Sequence, residues 1–282
     1  MRFERVPLEK LRIEDERSYR HIALYDALKR LLLRDEVLFW VPRAEAAPTR
    51  WDRVLFLKLT FWAPGDPADV LESNSISADV MMHAAWHHAM RRAVLKDRQA
   101  STTPSHDALF LGEAIASAFD LYLVGRLLGH APDAAFLEAH VPAMAEAAEQ
   151  AGMAADAFET MLDQVAHDPD RAFEDLRQLL FDVCMSLVNK RSVDEAAEAI
   201  ASFDGHRFGP LLHHYDLSTW IVRARAYGVW GEGRRRRSAA PNVKTGQPTE
   251  ARDAEVERID AALRHAPVAL DWLERHWLNG LS

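Results

Sequence analysis

His83 and His87 stand four residues apart in a stretch from Ala78 to about Arg98 whose apolar spacing predicts one amphipathic helix. A second apolar helix follows and carries Glu113. Residues four apart on an α-helix are about 40° apart around the axis and roughly 6 Å apart along it. Two imidazoles so spaced can share one metal ion, and a carboxylate from a neighbouring helix can supply a third ligand. His83, His87 and Glu113 are therefore the candidate metal ligands. The histidines are flanked by Met81, Met82 and Trp86, so their face is expected to be partly buried. Glu113 is the one charged residue between Ala108 and Phe119. A buried, unpaired carboxylate is costly unless something neutralises it. A metal ion would do so, and so would a protonated His83, Arg91 or Arg92. The residues alone leave open a metal-free alternative, in which these side chains are satisfied within or beside a helical core.

Other residues are placed to assist. Asp120 follows Glu113 by seven positions on the same helix face, where it could orient a ligand histidine through its free ring nitrogen. Ser117 lies one turn from Glu113. His88 is about 100° round the helix from His87, which points it toward another wall of the site or toward solvent. His106 precedes Glu113 and is a candidate fourth ligand or proton carrier. Further on, Leu211 to Trp220 brings His213, His214, Tyr215 and Asp216 together after Pro210, either as a functional group or as a capping and turn cluster. Cys184 sits in an apolar run and reads as a buried core thiol. Arg234 to Arg237 read as a solvated run that could meet phosphate or an acidic partner. No P-loop, Gly-x-Gly-x-x-Gly or Gly-x-Ser-x-Gly is present, so nucleotide binding and serine-hydrolase chemistry have no support.

The elements that must hold these residues can be read from periodicity. Ile13 to Leu33 has helical spacing. Val37 to Pro42 and Trp51 to Trp62 are β-prone runs expected to pair as a small sheet, closed by the turn Ala63 to Asp69. Everything after Ser75 reads as helix. Ser77 is the expected cap of the histidine helix, and Ser105 or Asp107 that of the next, which should run to about Leu128 and end at Gly129. Helices are expected at Asp133 to Ala151, Ala154 to His167, Asp170 to Lys190, Val193 to Phe203, His213 to Val229, Ala254 to His265 and Val268 to Leu278. Gly231 to Glu250 has the glycine, proline and polar content of a flexible segment. The organisation expected is an N-terminal portion with a helix and short strands (1–75), a helical body with the candidate metal site (76–230), a loop (231–252) and a C-terminal helical pair (253–282). Together they form one α+β, mainly α, unit.

The order of a strand-like run, a helix with His-x-x-x-His and a helix with a glutamate before small residues resembles the zincin metallopeptidases. The gluzincin branch, which includes thermolysin-like proteases and zinc aminopeptidases, is the nearest. In that family the first helix carries His-Glu-x-x-His and the second carries the third zinc ligand in an Asn-Glu-x-x-Ala or Asn-Glu-x-x-Ser context. Here His83-Ala84-Ala85-Trp86-His87 resembles the first motif and Gly112-Glu113-Ala114-Ile115-Ala116 the second. The resemblance spans about 45 residues and implies zinc on His83, His87 and Glu113. It also implies an oxyanion-stabilising group downstream, for which His213, His214 and Tyr215 are candidates. This sequence departs from the family at Ala84, where the glutamate general base should stand. The spacing from His87 to Glu113 is also longer than is usual there. Three readings remain open: a degenerate zincin that keeps its metal, a metalloenzyme with another base, or an enzyme whose base has been replaced. If catalysis persists, the base would come from His88, His106 or a downstream histidine.

Composition narrows the class. The chain has 282 residues, 49% of them hydrophobic, enough to bury a core, and a net charge of −9 that argues against a general nucleic-acid binder. One cysteine excludes an internal disulfide framework and a multi-cysteine metal site. The N-terminus is charged throughout and has no secretory h-region, and no run is read as long enough to span a bilayer. A cytoplasmic protein without membrane or nucleic-acid partners is expected, acting on an unknown small molecule or peptide. The function expected is a zincin-like metal-binding protein, an altered zinc metallohydrolase. Its rival is a metal-free helical scaffold or interaction protein. A di-iron or di-manganese carboxylate bundle ranks below both, because no convincing pair of Glu-x-x-His motifs is present.

Overall fold

The computed structural model describes residues 3–43, 71–94, 105–225 and 253–279. The fold is α+β and mainly α, with two small sheets among the described residues. Trp51 to Trp62, Ala63 to Asp69, most of the loop after the histidine helix, Gly231 to Glu250 and the arginine run lie outside the described residues.

The N-terminal portion differs from the sequence reading. The strand Leu38–Pro42 pairs antiparallel with Phe3–Pro7, in the register Phe3 to Pro42 and Pro7 to Leu38. The first strand was hidden by its charges. Glu4 and Arg5 are exposed, and the apolar signal in FERVP is carried by few side chains. The expected helix from Ile13 also resolves into smaller pieces. Arg12–Glu14 is a strand, Glu16–Tyr19 a single helical turn, and the helix proper is Ala23–Arg34. Arg12–Glu14 pairs in parallel with Ser75–Ser77, so the region after Ser75 opens with a strand and not with helix. Those three residues deliver the chain directly into the histidine helix, Ala78–Val94.

The Ala23–Arg34 helix ends in a hydrogen-bonded Schellman turn. Val37 N–H donates to Leu32 O at 3.0 Å and Glu36 N–H to Leu33 O at 3.2 Å, with Glu36 at φ 49° in the left-handed region usually given to glycine. The turn sets Asp35 at the helix end. There it accepts from His88 Nε2 at 2.7 Å and Arg92 Nη1 at 2.6 Å and ties this helix to the histidine helix.

The helix His106–Leu128 is the centre of the molecule. Nineteen of its 23 residues are buried, so it is enclosed on all sides and is not amphipathic. Ser105 caps it, accepting from Ala108 N–H at 3.2 Å, which settles the cap in favour of Ser105 over Asp107. By length and composition this helix could cross a membrane, which the sequence reading did not credit. In this fold, 94% of its most apolar window is buried inside the protein. It packs against the histidine helix on one side and against Ala155–His167 and Pro169–Leu187 on others. At Gly125 the approach is so close that a Cβ would lie 2.5 Å from Val165 O. Cys184, on Pro169–Leu187, is buried, and burial pushes its thiol pKa up.

The remaining helices follow the expected order, with Ala135–Gln150, Val193–Ala201 and Ala254–His265 close to their predicted bounds. Two differ. The predicted helix from His213 is a 3-10 segment, Gly209–His214, broken at Tyr215 and Asp216, before residues 217–225 turn helical. The last predicted helix is α-helical over Ala269–Leu273 and widens to a π-turn over Glu274–Leu278.

Candidate metal centre

The histidine helix and the central helix face each other so that His83, His87 and Glu113 converge. One potential ligand atom from each lies within 4.8 Å of the others. The two Nε2 atoms are 3.2 Å apart, and His87 Nε2 is 3.7 Å from Glu113 Oε2. A tetrahedral zinc ion with ligand bonds of about 2.0–2.1 Å has ligand atoms about 3.3 Å apart. The His83–His87 separation already fits that edge, and the His87–Glu113 edge is a few tenths of an ångström long. Gly112 lies close by: a Cβ there would stand 3.2 Å from Met90 Cγ and 3.9 Å, an ordinary contact, from His87 Nδ1.

His83 Nδ1 lies 3.1 Å from Asp120 Oδ2. A carboxylate only accepts, so Nδ1 carries a proton, which in a neutral His83 leaves the lone pair on Nε2. This is the role expected of Asp120. Burial, reinforced by the charges on His83 and Arg223, holds the His87 pKa well below the ordinary histidine value. His87 is therefore neutral at neutral pH, with a ring nitrogen able to coordinate. Glu113 is 7% exposed at its side chain, and its Oε1 accepts from Arg223 Nη1 at 3.2 Å. Of the counter-charges considered from sequence, Arg92 binds Asp35 instead. Arg223 lies 110 residues along the chain from Glu113, and no local pattern could have paired them.

The ligand group opens on a cleft of about 260 Å³, whose walls include His83, Glu113, Ser117, Asp120, His140 and His214. Tyr215, Asp216 and Trp220 extend it, and Leu121 and Met144 give it an apolar side. Ser117, Asp120 and Tyr215 thus line the same cleft as His83 and Glu113. Burial, and then the charge of Asp120, push the Tyr215 pKa up, so its hydroxyl stays protonated and can donate.

Three expected site residues are elsewhere. His88 is on another side of the helix, held by Asp35. His106 pairs with Asp107 Oδ1 at 2.8 Å, where the central helix begins. Asp107 Oδ2 accepts from Asp253 N–H at 2.9 Å, so that corner joins the C-terminal helix to the body. His213 is exposed and is not among the cleft-lining residues, because the 3-10 turn carries it away while His214 faces inward.

His140 was missed. It stands on Ala135–Gln150 with its ring stacked on Phe136 at 3.9 Å, and nothing in the surrounding sequence marks it. Its Nδ1 is 3.1 Å from Phe136 O, so that nitrogen donates to the carbonyl and Nε2 keeps the lone pair.

Comparison with protein-family models, with curated proteins and with solved structures gives no match, so function has to be argued from these residues alone.

Proposed function

We propose that this chain is a zincin-like metal-binding protein, an altered metallohydrolase that holds one divalent cation on His83, His87 and Glu113. The supporting observation is the convergence of those three donors within 4.8 Å, with Asp120 fixing the tautomer of His83. Two imidazole nitrogens and one carboxylate oxygen form the donor set of catalytic zinc sites, with the fourth position left to water or ligand. A bound cation would supply Lewis acidity and ease the deprotonation of a water molecule.

The chain's own residues would do the rest. Ala84 cannot accept a proton. His140 and His214 line the cleft and are the histidines there, besides the ligand His83, that could accept a proton. The Tyr215 hydroxyl is available to stabilise developing negative charge on a carbonyl oxygen. A small molecule or a peptide end suits a cleft of this size.

A second reading is favoured by one contact. The Arg223–Glu113 ion pair already neutralises the buried carboxylate, as a metal-free helical scaffold would require. The two readings separate by elemental analysis of purified wild type, His83→Ala and Glu113→Ala after zinc supplementation. One zinc ion per chain in the wild type, lost in both variants, supports the metal centre. A folded wild type that takes up none leaves the scaffold.

A further inference from the structure

We infer that the cleft beside this centre takes an organic cation, a small molecule that carries an ammonium group and an oxygen able to accept a hydrogen bond. The inference names the substrate class of the metal centre proposed above and, as that, rests on that reading. Charge gives the sign of the ligand. Among the described residues that line the cleft, the acidic ones are Glu113, Asp120 and Asp216, and no lysine or arginine stands with them. Glu113 already has Arg223 on one oxygen. Asp120 meets a histidine, and the Asp216 side chain accepts from Ser218 Oγ at 3.5 Å with no cation beside it among the described residues. Burial and the nearby His140 hold the His214 pKa below the ordinary histidine value, so that ring adds no positive charge at neutral pH. An anion would be repelled here and a cation drawn in.

The walls suit an ammonium group. The ring of His140 meets that of His214 at 68° with centroids 6.4 Å apart, and His214 meets Tyr215 at 82° and 5.0 Å. Rings turned at nearly right angles offer faces round a corner, and Tyr215 and Trp220 are the lining side chains whose faces attract a cation best. The oxygen is called for by two donors. Trp220 is 6% exposed and Tyr215 is half-buried, and among the described residues neither the indole N–H nor the phenol O–H has a hydrogen-bond partner. A buried indole N–H ordinarily finds one. An oxygen of the ligand would supply it, and a cleft of about 260 Å³ has room for a molecule that joins the two groups.

The test is calorimetric titration of the full chain with choline and with its neutral analogue, an alcohol in which a quaternary carbon replaces the quaternary nitrogen. That nitrogen has no lone pair, so choline cannot bind through it as a metal ligand. Choline is expected to bind, and the neutral alcohol about tenfold more weakly. Asp216→Asn should remove most of that preference by weakening choline alone. Trp220→Phe keeps a ring but loses the N–H, and should weaken both ligands. Equal affinities for the two in the wild type, or no binding of choline, overturn the inference. So does an Asp216→Asn variant that binds choline as the wild type does. Unchanged binding of both ligands by Trp220→Phe overturns the part given to the oxygen. If Trp220→Phe does not fold, choline against tetramethylammonium, which lacks the hydroxyl, makes that comparison in the wild type. Titrations with added zinc and after chelation separate the two readings. Choline bound by a chain that takes up no zinc defeats the metal centre and leaves a cation-binding cleft; a zinc-loaded chain indifferent to the charge of the ligand defeats the cation site alone.

Discussion

Asp120 carries more of the argument than its position near the end of a helix suggests. Without its carboxylate, His83 could place its proton on either ring nitrogen, and one of those tautomers cannot coordinate through Nε2. Partners of this kind typically contribute 10–100-fold to metal affinity. Asp120→Asn is therefore expected to weaken zinc binding by about that factor, measured by competition with a chromophoric chelator. Equal affinity in the two proteins would remove the tautomer argument. At this scale much was legible in the sequence, because His83, His87, Glu113 and Asp120 lie on two helices whose periodicity fixes which side chains share a face. Arg223 and His140 were not legible. Each reaches the site from a distant segment, and only the packing of whole helices brings it there.

Helices identify themselves by period and by their ends, and the histidine helix, the central helix and most later ones could be bounded from both. The strand Phe3–Pro7 could not, since its partner lies more than thirty residues away and its exposed face is charged. The break at Tyr215 was lost for another reason. A 3-10 turn followed by a helix keeps nearly the same apolar spacing as one continuous helix. Close packing between elements was equally invisible, yet it decides what the glycines of the central helix do. At Gly125 an added methyl meets backbone, the carbonyl of Val165, at 2.5 Å. At Gly112 it meets a side-chain atom, Met90 Cγ, at 3.2 Å. Gly125→Ala is expected to destabilise the fold by about 1–3 kcal/mol through overpacking. For Gly112→Ala the gain in helix propensity, about 1 kcal/mol, should largely offset the contact. Urea denaturation of the two variants checks the contrast, and equal midpoints would contradict it.

Across the whole molecule, the C-terminal helices are bound to the body by apolar packing, by the Asp107–Asp253 corner and by a buried cation. Arg177 is fully buried; it makes two hydrogen bonds to Glu174 and reaches Asp260 Oδ1 at 2.8 Å. Removing one partner of such a network leaves uncompensated buried charge, at a cost of about 3–5 kcal/mol. Arg177→Ala should lower stability by that amount in denaturant titration, far more than Arg258→Ala, whose partner Glu255 is at the surface. The enclosed central helix has a consequence for synthesis. Its largest neighbour, Pro169–Leu187, is translated some forty residues after it ends. A nascent chain halted before residue 169 thus keeps the histidine helix and Ala155–His167 against this segment but leaves uncovered the face that Pro169–Leu187 would bury. Such fragments should be captured by chaperones or adsorb to lipid, whereas the finished polypeptide hides that surface.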